Sequence, residues 1–421
     1  MTVFDSTRSA RPAALVFIFI TVLIDVLAFG LIIPVLPHLI EGFAGGSTVQ
    51  AAHWVGLFGT VYAAVQFLAA PVQGALSDRF GRRPVILLSC LGLGLDFVFM
   101  ALAPSLAWLF VGRVLSAVTS ASFSTANAYI ADVTPPEKRA QSYGLIGAAF
   151  GVGFILGPAA GGWLGAIDLR LPFWAAAVLA LCNFLYGLFV LPESLPRERR
   201  APRFVWRHAS PLGALELLRR YPQVLGLAGV VLLINFAHYV YPSVFVLFAD
   251  VRYAWGPREV GLVLGVVGIS SVIVQAGLVR RAVARFGERR TLLIALAAGA
   301  LGKVGYAFAA TGAAFLAVIP VTALWGMATP AAQALITRQI DPAEQGRVQG
   351  ALSSLVSLAG IAGPAVYTTV FAAFIRPSAP LHAPGAPFLL AGACLAVAWW
   401  MAWRFAQRRA VAATEAQPGV G

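Results

Sequence analysis

Residues 13–37 read AALVFIFITVLIDVLAFGLIIPVLP. This stretch carries one charged residue, Asp25, and is longer than the roughly 20 residues that an α-helix needs to cross a hydrocarbon core. It also exceeds the apolar part of a signal peptide and has no cleavage site of the A-x-A kind. It therefore predicts a membrane-spanning helix that is not removed by cleavage.

The composition extends this prediction to the whole chain. Of its 421 residues, 59% are hydrophobic and 11% are charged, and the mean hydropathy is +0.82. No water-soluble fold balances such a composition. Twelve helices of about 20 residues would use about 240 residues and leave the remainder for short loops and tails. An all-α membrane protein is therefore expected.

Apolar windows bounded by charges, glycines and prolines predict twelve spans. They lie at about 13–37, 54–76, 84–103, 106–130, 142–165, 172–192, 223–248, 258–280, 291–310, 313–336, 348–375 and 387–407. Because the number is even, both termini lie on one side of the membrane. About 24 of the 30 basic residues fall in the loops and tails of that side, against four in the opposite loops. This bias predicts that both termini are cytoplasmic.

The net charge of +13 would suggest nucleic-acid binding in a soluble protein. Here the one-sided loops account for it, so a lipid bilayer is the expected partner and nucleic acid is not. The three cysteines lie in apolar runs without CxxC spacing, which predicts neither a disulfide framework nor a zinc site.

The two parts of the chain repeat each other at one constant offset. Phe80-Gly81 corresponds to Phe286-Gly287, and Gly157-Pro158 corresponds to Gly363-Pro364. We therefore predict two pseudo-symmetric six-helix bundles, residues 1–192 and 222–421, joined by a cytoplasmic loop at 193–221. In such duplications the binding site lies near the bilayer midplane between the two parts.

Four charged residues lie inside predicted spans, where each is costly unless it faces a partner or a wet cavity. They are Asp25, Asp96, Arg113 and Lys303. Counted along helices that rise about 1.5 Å per residue, their depths in the membrane coincide. This coincidence predicts a central charge cluster whose carboxylates take up and release protons. The alternative is two structural ion pairs that tie helices together.

The loop after the second span reads Gly74-Ala-Leu76-Ser-Asp78-Arg79-Phe-Gly81-Arg82-Arg83-Pro84. We expect Asp78 to accept hydrogen bonds from Arg82 and from the N-terminal amides of a neighbouring helix. Such a loop could act as a gating latch that holds the two bundles together on the cytoplasmic side. The alternative is that its arginines only set the topology.

The fifth span has glycines at every fourth position, Gly153, Gly157, Gly161 and Gly165, with Pro158 and Gly162 beside them. This spacing places them on one helix face, which another helix can approach closely.

Polar residues in otherwise apolar spans are candidates for lining a ligand path, although each one alone is more typical of a hydrogen bond between helices. The candidates are Gln66, Asn127, Asn235, His238, Tyr241, Gln275 and Gln333. The sequence has no GxxxxGK[ST], HExxH or GxSxG motif, so the chain is predicted to be neither an ATP-driven pump nor an enzyme.

These motifs have a known counterpart. The loop Gly74–Arg83 resembles the signature loop of the major facilitator superfamily, and Gly153–Gly162 resembles the antiporter motif in its fifth helix. More narrowly, several stretches are similar to the Gram-negative tetracycline efflux proteins. They are Asp25–Pro37, Asp96, Ala128–Asp132, Leu191–Ser194, Gly287–Arg290 and Gln345–Gly350. The resemblance runs from about residue 13 to 405.

The resemblance implies the major facilitator fold and the exchange of a cytoplasmic drug for an incoming proton. Asp25 and Asp96 match the essential membrane carboxylates of that family, and Arg113 matches its fourth-helix arginine. We therefore expect a monomeric antiporter of the bacterial inner membrane that exports a tetracycline-like or other antibiotic. No cofactor is expected, and a metal would enter only as part of a chelated substrate.

Three departures from the family concern its substrate. In the ninth helix the family carries a further acid, whose place aligns near Gly299 here, with the base Lys303 one turn later. The stretch Asn235–Pro242 differs from the drug exporters' version of the seventh helix. The glycine that the family has four residues after its fourth-helix arginine is Ala117 here. We expect Lys303 to pair with the membrane carboxylates and to disfavour a cationic chelate. Two alternatives remain open, a nutrient symporter or facilitator and a membrane sensor that does not transport.

Overall fold

The computed structural model describes residues 7–119, 122–135, 138–200, 222–340 and 344–406. These residues form helices joined by short turns, and none of them forms a β-strand. The helices are α1 (Thr7–Ile32), α2 (Leu36–Phe43), α3 (Thr48–Phe80), α4 (Arg82–Ala101), α5 (Leu106–Thr119), α6 (Ser122–Val133), α7 (Arg139–Ile167), α8 (Leu171–Val190), α9 (Pro222–His238), α10 (Val240–Tyr253), α11 (Pro257–Ile273), α12 (Val279–Phe308), α13 (Gly312–Ala323), α14 (Ala328–Thr337), α15 (Gln345–Ile375) and α16 (Ala386–Phe405). The loop predicted at 193–221 lies outside the described residues beyond Arg200.

Ten helical stretches are long and apolar enough to cross a membrane. One of them, Pro257–Phe308, contains two spans, because the backbone turns at Gly287, where φ is 73°. Helices α5 and α6 form a further span, with residues 120 and 121 between them outside the described ranges. The prediction of twelve spans is therefore confirmed.

Several spans are interrupted by a short break. The first is broken between α1 and α2 by a turn at residues 33–35, where Pro34 has no N–H to continue the helix. The seventh is broken at Tyr239, between α9 and α10. The eighth continues through a π-helical turn at Val274–Leu278, and the tenth through a 3₁₀ turn at Leu324–Met327.

The backbone repeats at the offset found in the sequence. Gly81 and Gly287, which the repeat aligns, both have positive φ angles, 107° and 73°. Helices α7 and α15 begin at Arg139 and Gln345, which are separated by the same offset. We refer to residues 7–200 as the first half and to residues 222–406 as the second half.

The helices end at two faces. We call the face that carries the turn at Gly81 and the described part of the central loop the basic face, and the other end the opposite face. The two halves contact each other through α3 with α15 and through α7 with α11. On α3, a Cβ at Gly59 would lie 2.9 Å from Pro364 of α15. On α7, a Cβ at Gly162 would lie 2.9 Å from the Cα of Gly261. Both contacts lie in the part of the bundle nearer the opposite face.

Towards the basic face these close contacts disappear. A Cβ at Gly74, Gly144 or Gly350 would meet no atom within 4 Å. Each ion pair found among the described residues joins two residues of the same half. In the part of the chain that the structure describes, the halves are thus tightly joined on the opposite face, and the close glycine contacts do not continue to the basic face.

Candidate functional site

Asp25 lies in the middle of α1 and is 4% exposed. The side-chain amide of Asn183, on α8, donates to its Oδ1 at 3.4 Å. The hydroxyl of Thr21, one turn earlier on α1, donates to Oδ1 of Asn183 at 3.2 Å. The buried amide therefore orients the carboxylate and ties the first span to the sixth.

Asp96 on α4 and Arg113 on α5 form a second buried charged region of the first half, with exposures of 3% and 8%. Neither Asp96 oxygen accepts a hydrogen bond of standard geometry, although Arg113 lies within electrostatic range. Gly112 makes room for the carboxylate, because a Cβ there would lie 3.1 Å from Oδ1. The Arg113 guanidinium instead stacks 4.2 Å over the ring of Tyr62, on α3. The acid and the base are neighbours that do not form an ion pair.

Lys303 lies on α12 in the second half and is completely buried. Its Nζ has no hydrogen-bond partner among the described residues and lies 3.4 Å from the ring centre of Tyr241 and 4.6 Å from that of Trp325. The expected pairing of Lys303 with Asp25 or Asp96 is therefore wrong for this conformation. The reason is that aromatic side chains enclose the ammonium group and take the place of a carboxylate.

The second half is rich in aromatic contacts around this lysine. The rings of Tyr306 and Phe315 stack with centroids 4.1 Å apart, and Tyr241 lies edge-on to Tyr306 at 6.3 Å. The ring of His238 lies 6.0 Å from that of Tyr241 and 5.8 Å from that of Trp325. His238 is classed as exposed, although these rings contact it.

The other predicted lining residues lie on several helices of both halves. Asn127 on α6, Gln275 in the π-helical turn and Gln333 on α14 are exposed, and Gln66 on α3 is half-buried. Asn235 on α9 donates from Nδ2 to the carbonyl oxygen of Val231 at 2.8 Å, a bond within its own helix. These residues thus lie on four helices and one π-helical turn, and their role as a ligand path stays a prediction.

On the basic face, Arg82 is the centre of a polar network. Its side chain donates to Asp78 at 2.6 Å, to Ser77 at 2.6 Å and to Asp132 on α6 at 3.1 Å. Ser194 also donates to Asp132, at 3.1 Å. This network connects the second, third and fourth spans to the chain that follows the sixth.

The expected contact of Asp78 with Arg82 is confirmed, whereas its expected contact with helix N-terminal amides stays a prediction, because another acid caps α4. Glu193 accepts the backbone N–H of Arg82, at the first residue of α4, at 2.9 Å, and it also pairs with Arg200 at 3.4 Å. A Cβ at Gly81 would lie 2.7 Å from the Glu193 carboxyl carbon. The contacts of this network described here all lie in the first half. The described contacts thus show no latch between the halves, and the latch stays a prediction.

The glycines of the fifth span lie on two contact surfaces of α7. A Cβ at Gly157 would lie 2.9 Å from the Cα of Gly30 on α1, and one at Gly153 would lie 2.9 Å from Cβ of Val26. The neighbouring Gly162 faces the second half instead, against α11. The prediction of a closely packed glycine face is confirmed, and α7 packs closely on both sides.

A comparison with known proteins identifies this architecture. The sequence profile of the Major Facilitator Superfamily matches residues 18–364. The chain belongs to this superfamily. The major facilitator protein is 42% identical to the class C tetracycline resistance protein of Escherichia coli over 360 residues, which cover 86% of this chain and 90% of that protein. It is 37% identical to the class G tetracycline resistance protein of Vibrio anguillarum over 86% of this chain and 91% of that protein.

A solved structure shares the fold. The crystal structure of the human organic anion transporter MFSD10 aligns with a TM-score of 0.68 and 24% identity, over 93% of this chain and 99% of that one. The major facilitator protein is therefore a multi-pass membrane transporter and not an enzyme, and its resemblance to the tetracycline resistance proteins is confirmed.

The departure in the ninth span has a physical explanation. A Cβ at Gly299 would lie 2.8 Å from Cγ of Trp325. The indole therefore occupies the space that a side chain at position 299 would need, and the same indole lies against Lys303. Trp325 thus links position 299 to Lys303 in the packing of the second half.

Proposed function

We propose that this chain is a proton-coupled antiporter that exports a small-molecule drug from the cytoplasm by alternating access. Its similarity to the tetracycline resistance proteins supports a drug as the substrate. Its one-sided basic loops support a bacterial inner-membrane location with cytoplasmic termini. With that orientation, the conformation described above is inward-facing, because the halves meet on the outer face.

The observation that carries the proposal is the position of α7 between the two halves. On one side Gly157 packs against Gly30 of α1, in the same helix as Asp25. On its other side Gly162 packs against Gly261 of the second half. A change of charge at Asp25 therefore acts on a helix that is in backbone contact with the moving interface.

The proposed cycle uses this connection. In the outward-facing state Asp25 takes a proton from outside, which removes its charge, and the drug leaves. In the inward-facing state the proton passes to the cytoplasm, and a new drug molecule binds. Asp96 is the second carboxylate of the path, and Arg113 is the base beside it.

The test uses drug-susceptibility profiling to find an exported compound, followed by transport of that compound into inverted vesicles under a pH gradient. Asp25→Asn should abolish the gradient-driven uptake while the protein still inserts into the membrane. The matched control is Asp168→Asn, in an exposed turn of the opposite face, which should transport normally. Undiminished gradient-driven uptake by Asp25→Asn would refute the assignment.

Counterflow in proteoliposomes separates the alternatives. An antiporter exchanges labelled for unlabelled drug without a gradient, and it accumulates drug inside the vesicle when protons flow out. A symporter or facilitator for a nutrient gives counterflow but moves its substrate with the proton or independently of it. A sensor that only binds its ligand gives no counterflow.

A further inference from the structure

Lysine is rare in this chain and marks one interior position. The sequence holds 28 arginines but only two lysines, Lys138 and Lys303. Lys138 is exposed on the basic face, whereas Lys303 is completely buried in the second half. An ammonium group is a compact charge with three N–H donors, whereas a guanidinium group is a planar fork. Position 303 therefore presents a compact donor in a closed aromatic environment.

The electrostatic surroundings of Lys303 lack a negative charge among the described residues. The described acids of the second half all lie at helix ends or in loops; they are Asp250, Glu259, Glu288 and Glu344. The rings of Tyr241 and Trp325 offset part of the desolvation of a cation but accept no full hydrogen bond. A buried ammonium group without an acceptor is unfavourable and gains strongly from an anion placed beside it.

An anion has a route to this position. Lys303 is enclosed by an aromatic layer, and His238 belongs to that layer, with ring contacts to Tyr241 and Trp325. His238 is also the exposed member of that layer. A rotation of its side chain would therefore open the ammonium group to a ligand, and the flat faces of the histidine and the indole would then flank the ligand.

We propose that Lys303, His238 and Trp325 form a subsite for the anionic group of a planar aromatic drug, such as a carboxylate attached to a fused ring system. This inference rests on the proposed function and names the substrate class of the transport site. The ammonium group binds the anion, and the rings stack on the aromatic body of the drug. Inorganic anions share the first part of this chemistry and lack the second.

The test measures binding of nalidixic acid and of its uncharged ethyl ester to the purified full chain, by calorimetry. Lys303→Met should raise the Kd of the acid at least tenfold and leave that of the ester within twofold. The matched control, Lys138→Met, should change neither value. Equal binding of acid and ester by the native chain, or an unchanged acid Kd in Lys303→Met, overturns the subsite.

A second measurement leaves the residues of the subsite unchanged and substitutes only the exposed Lys138. In the variant Lys138→Arg, Lys303 is the only lysine, and its acetylation by acetic anhydride can be followed by mass spectrometry. Nalidixic acid should slow this acetylation at least threefold, whereas the ester and sodium chloride should not. Protection by chloride alone would show an inorganic anion site and overturn the drug subsite. If the chain exports uncharged drugs but does not bind nalidixic acid, the proposed antiporter function is retained and only the anionic subsite is refuted.

A different cluster lies on the opposite face and joins the two halves. His38 and Glu41, one turn apart on α2, face Asp250 on α10, and one ligand atom of each lies within 4.8 Å of the other two. Nε2 of His38 is buried and has no hydrogen-bond partner among the described residues. Glu41 is held by the hydroxyl of Thr48. One imidazole and two carboxylates, with a water molecule, are a suitable tetrahedral set for Zn²⁺.

The geometry points to a zinc site that stabilises the closed opposite face, because its ligands come from both halves. Opening of that face separates α2 from α10 and breaks the site. External Zn²⁺ should therefore hold the halves together and slow every process that requires this face to open. This inference is independent of the drug and of proton coupling.

The test follows Thr368→Cys, a buried position between α3 and α15, with a membrane-impermeant maleimide added at the opposite face. Ten micromolar ZnCl₂ should slow labelling at least fivefold, and MgCl₂ should not. His38→Ala should remove the zinc effect, whereas His53→Ala, an exposed histidine of the same face, should keep it. A zinc effect that persists in His38→Ala, or no zinc effect in the chain with His38, refutes the site.

Discussion

The contact between α7 and α11 sets the balance between the two conformations of the transporter, and Gly261→Ala tests it. An added Cβ would lie 2.9 Å from the Cα of Gly162 and closer still to the carbonyl oxygen of Pro158. Ordinary carbon–carbon contacts are about 3.5 to 4.0 Å, so the helices must separate by about 0.6 to 1 Å. The opposing atoms belong to the backbone, and no side-chain rotation relieves the clash.

Overpacking of this kind costs about 1 to 3 kcal/mol. The cost falls on the conformation in which the opposite face is closed, since α7 and α11 separate when that face opens. The equilibrium should therefore shift towards the outward-open state by about 5- to 150-fold. Gly265→Ala, one turn along α11, is the matched control, because its Cβ would find its nearest neighbours at 3.7 Å.

The assay is the rate at which the impermeant maleimide labels Thr368→Cys from the opposite face, measured without zinc. This position is 1% exposed in the closed contact and becomes accessible when α3 and α15 separate. Gly261→Ala should accelerate labelling at least fivefold, and Gly265→Ala should change it less than twofold. Equal rates in the two variants would refute the view that close backbone contact at Gly261 sets the conformational balance.

Three further results are expected. Asp78→Asn removes an ion pair of an exposed carboxylate, which is worth at most about 1 kcal/mol of stability. Drug binding should therefore persist while drug transport falls at least tenfold, and an equal loss of binding and transport would indicate a folding role. Gly81→Ala should lower the midpoint of thermal unfolding in detergent more than Gly287→Ala. Both substitutions strain a positive φ angle, but only at Gly81 would the added methyl group also meet a carboxylate. An equal decrease in the two variants would contradict this difference. Tyr62→Leu removes a buried cation–π contact with Arg113 worth about 2 kcal/mol and should reduce drug transport about 30-fold. Tyr62→Phe keeps the ring, so its transport rate should stay within threefold of the unsubstituted protein. Similar losses in both variants would contradict a role for the ring.

The spans, the repeat and the contact of Asp78 with Arg82 could be predicted because each depends on local composition or on spacing along the chain. A run such as residues 13–37 has one favourable environment, and a constant offset between matching motifs can be counted directly. Even the break in the first span has a local cause, Pro34, which cannot donate a backbone hydrogen bond.

The partners of the buried charges could not be predicted in the same way. Asn183 lies 158 positions from Asp25, and neither residue's spacing indicates the other. Glu193 lies in a stretch that resembles the tetracycline efflux proteins, but only the structure shows that it caps the helix that begins at Arg82. The sequence predicts a carboxylate partner for Lys303, since charged residues can be read directly from a sequence. The aromatic enclosure depends on Trp325, which is brought next to Lys303 only by the packing of the folded helices.

The packing of Trp325 against Gly299 has an evolutionary consequence. An acidic side chain introduced at position 299 would collide with the indole, and loss of the indole alone would leave a void beside an unpaired lysine. Neither single substitution gives a well-packed intermediate, so the two positions have to change together. Descendants of this gene are therefore expected to keep positions 299 and 325 as a unit. Natural variation between an acid at position 299 of the ninth span and a tryptophan at position 325 of the tenth should show a gap rather than a gradual series.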